Sequence, residues 1–584
     1  MCPWPTWSSR PEVRSTVLLG IVLVTATALR LDGLGDRTLN HPEVYSPGID
    51  LPWHLSNPNP RFTLTQTLKG SIGGEPHPPG YYILMLGWTK VFGSSIHALR
   101  LPSVLFGVGS VFLVYLLARV TVGTATALLA SAMLALNGFH VFWSQVARMY
   151  AMACFLGLLS TALLVLLIRK PDRPRLYCVL YVAAVLSGLA THVYFWPLFI
   201  TQLLWTLVMG IRTRTGLVGL ARVQILTFIL ATPLVAIAVY QKGAASRPPT
   251  LSPITAIFRY LQAGALFGLG PRNLFEGSVV GLAAVLALTG TLVLLTAAAA
   301  AWSDRTEDPG SVGELEQCGA VRPAAMVGAA LLMGANILVF AYVAKTLQPS
   351  RSTAPILAAS VLPPVLALFD ALVRRRPEWL GSLQRVFTRA VRGLPTARSL
   401  VLALAVVPVG LVAAVSVFSP MLVQRGLLIF APYLLIILAT GLLDVMRRDR
   451  RWVALALMLA AVHGVSILYY KSKPPSPDYK GLAARWAPEI EATDLIFVHG
   501  RGHPKDWAVA PIYYYLNARR YRYIGKNFVE AVRDNPGSRV WVMTLPRIAT
   551  EREVGDALAG FTRRKRIEAT GLSAELYVPR NSSP

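Results

Sequence analysis

Three short stretches concentrate the side chains of this chain that are able to do chemistry. In Leu39-Asn40-His41-Pro42-Glu43-Val44-Tyr45 a lone carboxylate, Glu43, stands about ten residues beyond the first apolar run. Partly desolvated by apolar neighbours, such a group gains proton affinity and can act as a general base. The plainer alternative is a solvated loop acid, and His41, Asp36 and Asp50 are weaker candidates in the same loop. In Gly74-Glu75-Pro76-His77-Pro78-Pro79-Gly80-Tyr81-Tyr82, prolines hold Glu75 and His77 just ahead of apolar sequence. Proline there suits the first turn of a helix, an end that attracts anions, and His77 can donate a hydrogen bond to a phosphate. A simple helix start with an incidental histidine explains the same residues. In Ser144-Gln145-Val146-Ala147-Arg148-Met149-Tyr150, Arg148 can grip a phosphate with a forked pair of hydrogen bonds and Tyr150 can add one more. An arginine reaching toward lipid headgroups beside an interfacial tyrosine is the competing explanation. The same two readings apply to His192 with Tyr194, Lys345 with Arg351, and Arg425.

The elements that must position these groups are apolar helices. Of 584 residues 54% are hydrophobic and only 15% charged, with mean hydropathy +0.51, a composition of repeated membrane spans. Apolar segments of spanning length fall near 14–31, 98–118, 124–142, 149–169, 176–194, 196–211, 221–240, 277–302, 323–344, 353–373, 399–418, 426–446 and 452–470, about thirteen spans. Segment 79–92 is apolar but short and opens with two prolines, so it reads as an interfacial helix. The run after Arg10 and Arg14 lacks a small-x-small cleavage site, so an uncleaved first span is expected rather than a signal peptide.

Charge orients these spans. The net charge of +27 lies mostly in short loops, and no nucleic-acid motif accompanies it, which argues against a nucleic-acid partner. With the N-terminus inside, the basic loops around Arg169, Arg212, Arg374 and Arg447 alternate correctly, whereas the acidic loop 303–322 is uninformative. The same assignment puts 32–97, the Ser144–Arg148 turn, His192–Trp196, Lys345–Ser352 and Pro420–Arg425 together on the outer face. Cys2, Cys154, Cys178 and Cys318 are scattered, with neither disulfide nor metal spacing.

After the linker Pro474-Pro475-Ser476-Pro477 the composition changes. Short buried strands at Asp494–Val498 and Val540–Thr544 alternate with helical stretches near 478–490, 508–518, 527–533 and 549–560. The expectation is therefore an α-helical integral membrane domain over 1–470, with first outer loop 32–97, and a small α/β extramembrane domain over 471–584. An odd number of spans places that second domain outside.

The ordered set of motifs resembles the multi-pass C-type glycosyltransferases, nearest the protein O-mannosyltransferase and lipid A aminoarabinose transferase branch. The matching residues are Arg30-Leu31, Glu43, Glu75-Pro76-His77-Pro78-Pro79-Gly80-Tyr81-Tyr82, Ala98-Leu99-Arg100-Leu101-Pro102-Ser103, Ala147-Arg148-Met149-Tyr150, Thr191-His192, and Arg425 before Ala431-Pro432-Tyr433. The resemblance implies an inverting transfer of a sugar from a polyprenyl-phosphate donor to a lipid, glycan or protein acceptor. It implies Glu43 as base, and Arg148, His77 and Tyr150 at the donor phosphate, with Glu75, His192 and Arg425 as further site residues; Lys345, read from the residues alone, is a further candidate. The location implied is a plasma or inner membrane, with the catalytic face extracytoplasmic. Where the family usually carries an Asp-Glu pair this chain has Pro42-Glu43, and Gly80 replaces a common leucine; metal dependence is left open. Two alternatives remain: a lipid or solute transporter, against which the charge-poor span interiors argue, and an inactive family member serving as an assembly partner.

Overall fold

The computed structural model describes residues 10–40, 42–49, 62–74, 77–169, 174–213, 217–234, 396–418, 423–448, 477–498, 510–516, 522–524, 528–544 and 552–580, with scattered positions at 237 and between 453 and 468. The expected spans 277–302, 323–344 and 353–373, most of 452–470, and the candidates Glu75 and Lys345 lie outside these residues.

The membrane-type part comprises helices α1 (Arg10–Leu31), α2 (Leu64–Gly74), α3 (Gly80–Phe92), α4 (Ile96–Thr121), α5 (Thr124–Ala135), α6 (Gly138–Ser144), α7 (Tyr150–Ile168), α8 (Pro174–Thr191), α9 (Phe195–Thr213), α10 (Leu217–Leu230), α11 (Thr396–Phe418) and α12 (Ala431–Arg448). Among the described residues five helices are long and apolar enough to cross a membrane, or six if one bent pair is a single span. Segments 196–211, 221–240 and 426–446, expected to span, form shorter apolar helices. Helices α4 and α7 pack on each other, with α5 against α4 and α12, and α8 against α7. The intervening core is aliphatic, through residues such as Val114, Leu117, Leu158, Leu164 and Leu435.

The segment expected as one span over 124–142 is instead broken, with α5 and α6 meeting at 61°. Asn137 begins α6 by accepting the His140 N–H at 2.9 Å, an N-cap that starts a helix on a new axis. Arg30 of α1 donates to carbonyls at the end of α5, Leu134 O at 3.2 Å and Ala135 O at 3.2 Å. Its remaining partners are Ala26 O, Ser144 Oγ and His140 Nδ1. A guanidinium at a helix C-terminus meets the negative end of the helix dipole, so five donors and one dipole offset the burial of the charge. Arg30, in the last turn of α1, and Arg100, in the first turns of α4, are thus buried at helix ends rather than in span interiors.

The C-terminal region forms a five-stranded mixed sheet in the order β2-β1-β3-β5-β4, from β1 (Leu495–Val498), β2 (Arg522–Ile524), β3 (Val540–Thr544), β4 (Phe561–Ala569) and β5 (Leu572–Pro579). Strands β2, β1 and β3 are parallel, whereas β5 and β4 are antiparallel additions. Helices α13 (Tyr479–Trp486), α14 (Pro511–Tyr515), α15 (Phe528–Asp534) and α16 (Arg552–Ala557) fall in the expected helical stretches, α15 displaced by one residue and the others shorter. This unit shares a core with the first loop, in which Leu39, Val44, Tyr45 and Ile49 cluster with Tyr479, Trp486, Ile512 and Trp541. Polar bonds tie the same surfaces. The Leu39 N–H donates to the Tyr515 hydroxyl oxygen at 2.7 Å, Thr38 to Pro477 O at 3.2 Å, Lys480 to Gly35 O at 3.1 Å, and Tyr514 to Ser94 O at 2.9 Å. The segment that carries Glu43 is thus covered by the sheet unit.

Candidate active site

Glu43 opens a single 3-10 turn, Glu43–Tyr45, preceded by Pro42, and its side chain is fully buried. Arg100 projects from the first turns of α4 and meets it as a fork: Nε donates to Oε1 at 2.9 Å and Nη2 to Oε2 at 2.9 Å. Backbone N–H groups complete the ring, Ala147 to Oε1 at 2.8 Å and Asn40 to Oε2 at 2.9 Å. Arg100 also donates to Leu34 O, Arg37 O and Thr38 O. One arginine therefore secures both the carboxylate and the turns that lead to it.

The turn between α6 and α7 is anchored from the other side. Gln145 donates to Arg30 O at 3.1 Å and Asp32 O at 2.9 Å, closing carbonyls at the end of α1. Ser103 donates to Arg148 O at 3.4 Å, and Arg148 Nη1 donates to Pro42 O at 3.1 Å. The Arg148 guanidinium lies 5.7 Å from the Tyr82 ring centre, within cation–π range.

Beside Arg148 the candidate residues converge. The rings of His77 and His192 stack at 5.2 Å and 30°, with Tyr150 centred 6.2 Å from His77 and 5.5 Å from His192. The Arg425 guanidinium lies 6.0 Å from the Tyr150 ring centre. Tyr194 places it: its hydroxyl accepts the Val423 N–H at 2.8 Å, and Gly426 rests directly on the Tyr194 ring. His192 Nδ1 accepts the Tyr194 N–H at 3.0 Å, so in the neutral ring the proton sits on Nε2, which is then a donor. Burial, then the neighbouring cations, holds both imidazoles neutral: His77 titrates well below 6.5, and His192 is pushed down to about 3. The pocket therefore offers two guanidinium groups and neutral N–H and O–H donors, a set suited to a phosphate or another anion.

Gly80 explains one departure from the family pattern. A Cβ there would stand 2.6 Å from the Ala190 carbonyl oxygen of α8, and that close approach brings His77 to His192. Gly80→Ala is expected to cost about 1–3 kcal/mol through overpacking against backbone, read as a lowered melting temperature in detergent. A pH effect follows from the two neutral imidazoles. Below about 6.5 the unfolded chain binds protons that the folded chain refuses, so stability should fall as the pH drops through that region. Melting temperatures from pH 7.5 to 5 would show it, with His192→Gln flattening the slope.

Of the expected site residues, His77, Arg148, Tyr150, His192 and Arg425 are brought together, and Glu43 is joined to Arg148 through Ala147 and Pro42. Arg100 and the ring of Tyr82 were not singled out from the residues; the available signal was a charge just inside an apolar span, a costly placement. Among the described residues no group of three or more His, Cys, Asp or Glu comes together.

The fold and site thus define a class of protein in which apolar helices bring two arginines and neutral hydrogen-bond donors to one place. Residues 76–239 match the family of dolichyl-phosphate-mannose-protein mannosyltransferases, so the resemblance to the C-type glycosyltransferases holds over the part of the chain that supplies His77, Arg100, Arg148, Tyr150 and His192. No curated protein sequence matches the chain. Among solved structures it is similar to ArnT from Cupriavidus metallidurans in the apo state, at 13% identity and TM-score 0.45, covering 97% of this chain and 98% of that one. ArnT bound to undecaprenyl phosphate gives 14% identity, TM-score 0.39 and coverage of 97% and 99%. The oligosaccharyltransferase AglB from Archaeoglobus fulgidus, in complex with an inhibitory peptide and a dolichol-phosphate, gives 14%, 0.40, and 99% and 75%.

Proposed function

We propose that this chain is an integral membrane glycosyltransferase that moves a sugar from a polyprenyl-phosphate donor to an acceptor on the outer side of the membrane. The observation that carries the reading is the meeting of His77, Arg148, Tyr150, His192 and Arg425, from four separate parts of the sequence, in one cationic pocket. The family match, whose name specifies a lipid-phosphate-linked sugar, supports it.

In this reading the acceptor oxygen bonds to the anomeric carbon as the bond to the phosphate oxygen breaks, with inversion. The departing polyprenyl phosphate is already a stable anion and needs no general acid, unlike the alkoxide that glycosidases protonate. Charge growing on that phosphate meets Arg148 and Arg425 and the donor faces of His77, His192 and Tyr150. For the acceptor's proton the sequence names Glu43, a role that requires one of its four donors to let go. The domain boundary near 470, an extracytoplasmic sheet unit and a plasma or inner membrane location belong to the same proposal, supported by the basic inner loops and by the contact between the sheet unit and the first outer loop.

The test is direct. Purified protein in lipid nanodiscs should bind a short-chain polyprenyl phosphate and transfer labelled sugar from its glycosylated form, with Arg425→Ala weakening that binding. A chain that neither binds the lipid phosphate nor releases it from a sugar donor would refute the proposal.

A further inference from the structure

We infer that Glu43 serves the transfer as a positioning residue: paired with Arg100, it fixes the backbone on which Arg148 stands, and the acceptor's proton goes not to it but to the departing phosphate, a basic dianion once its bond to the sugar has broken. The inference rests on reading the pocket as the carrier-phosphate site.

A carboxylate offers about four in-plane acceptor sites. For Glu43 all four are taken, two by the Arg100 fork and two by the N–H groups of Ala147 and Asn40. A base needs an acceptor site turned toward the incoming hydroxyl, and this side chain is fully buried. Taking a proton would break a charge-assisted bond and leave the Arg100 cation, itself buried, without its counter-charge.

What these bonds do instead is close a circuit around Arg148. The Ala147 N–H held by Glu43 belongs to the residue just before Arg148. Arg148 Nη1 in turn donates to Pro42 O, just before Glu43. Ser103, one turn along α4 from Arg100, donates to the Arg148 carbonyl. Moving the carboxylate therefore moves both the backbone under Arg148 and the carbonyl that orients its guanidinium. Pro42, which stands where the family places its aspartate, contributes here through that carbonyl alone.

The two roles separate experimentally in Glu43→Gln, Arg100→Lys and the double variant, each in nanodiscs. The readouts are the Kd for farnesyl phosphate and the pH profile of kcat/KM for sugar transfer. Positioning predicts that each single change weakens farnesyl phosphate binding about tenfold. The double variant should be no weaker than the worse single, because both act through one circuit, and the residual activity should keep the wild-type pH profile. Wild-type affinity in Glu43→Gln, with kcat down about a hundredfold and the acid limb of the profile lost, would overturn the inference and make Glu43 the base. If Glu43→Gln does not fold, Glu43→Asp carries the same test: it keeps a carboxylate but draws it back by one methylene, so unaltered farnesyl phosphate binding would overturn positioning. Failure of the wild type to bind the probe at all would instead sink the functional reading beneath it.

Discussion

Replacing Arg148 with alanine is expected to lower kcat/KM for sugar transfer by about 10²–10³, the loss typical when one preorganised donor to developing charge is removed. The guanidinium is held on three sides: by its bond to Pro42 O, by the Tyr82 ring, and by a backbone pinned through Ser103 and Glu43. A group so constrained meets charge without reorganising, which is where its leverage in a buried site comes from. Arg148→Lys should recover little, because an ammonium cannot reproduce the forked geometry. Steady-state transfer assays on the reconstituted variants, with melting temperature as the folding control, check both statements. Transfer by Arg148→Ala within a few-fold of wild type would remove this arginine from the reaction.

Arg100→Leu is expected to have the largest effect on stability, a loss of about 3–5 kcal/mol, since it strands a fully buried carboxylate without its counter-charge. It also opens the carbonyls of Leu34, which is buried, and of Arg37 and Thr38, which are partly so. The double variant Arg100→Leu with Glu43→Gln should be less damaged than Arg100→Leu alone, because the isolated charge is then gone. Thermal unfolding of the three proteins in one detergent gives the comparison. An Arg100→Leu protein as stable as wild type would mean that water reaches Glu43.

Much of the architecture is legible in the chain because it rests on local physics. Apolar runs of the right length become helices wherever they occur, which is why α1, α4, α7, α8 and α11 fall where hydropathy places them. Buried strands β1 and β3 show as short apolar runs. Edge strand β4 does not: Arg563, Arg564, Lys565 and Arg566 sit on it exposed, charges of the kind that keep an edge from pairing with another chain. Its partner β5 was likewise not visible as a strand. The break between α5 and α6 also escapes a hydropathy reading, since a run over 124–142 stays apolar whether straight or bent. Arg30 reaching from α1 supports the bend together with the Asn137 cap, by donating to carbonyls at the end of α5.

By itself, then, the sequence determined which residues could act and which stretches would be helical, because residue chemistry and hydrophobic periodicity are local properties. His77, Arg148, Tyr150, His192 and Arg425 are recognisable as donors for an anion wherever they stand. Tertiary structure decided their company. It put Arg425 over Tyr150 and His77 on His192, and it gave Glu43 to Arg100 and to the Ala147 N–H. Whether a carboxylate is a free base or a bound anchor depends on what fills its acceptor sites; the Asn40 N–H comes from the same turn, but Arg100 and the Ala147 N–H come from segments that only packing brings within 3 Å of it.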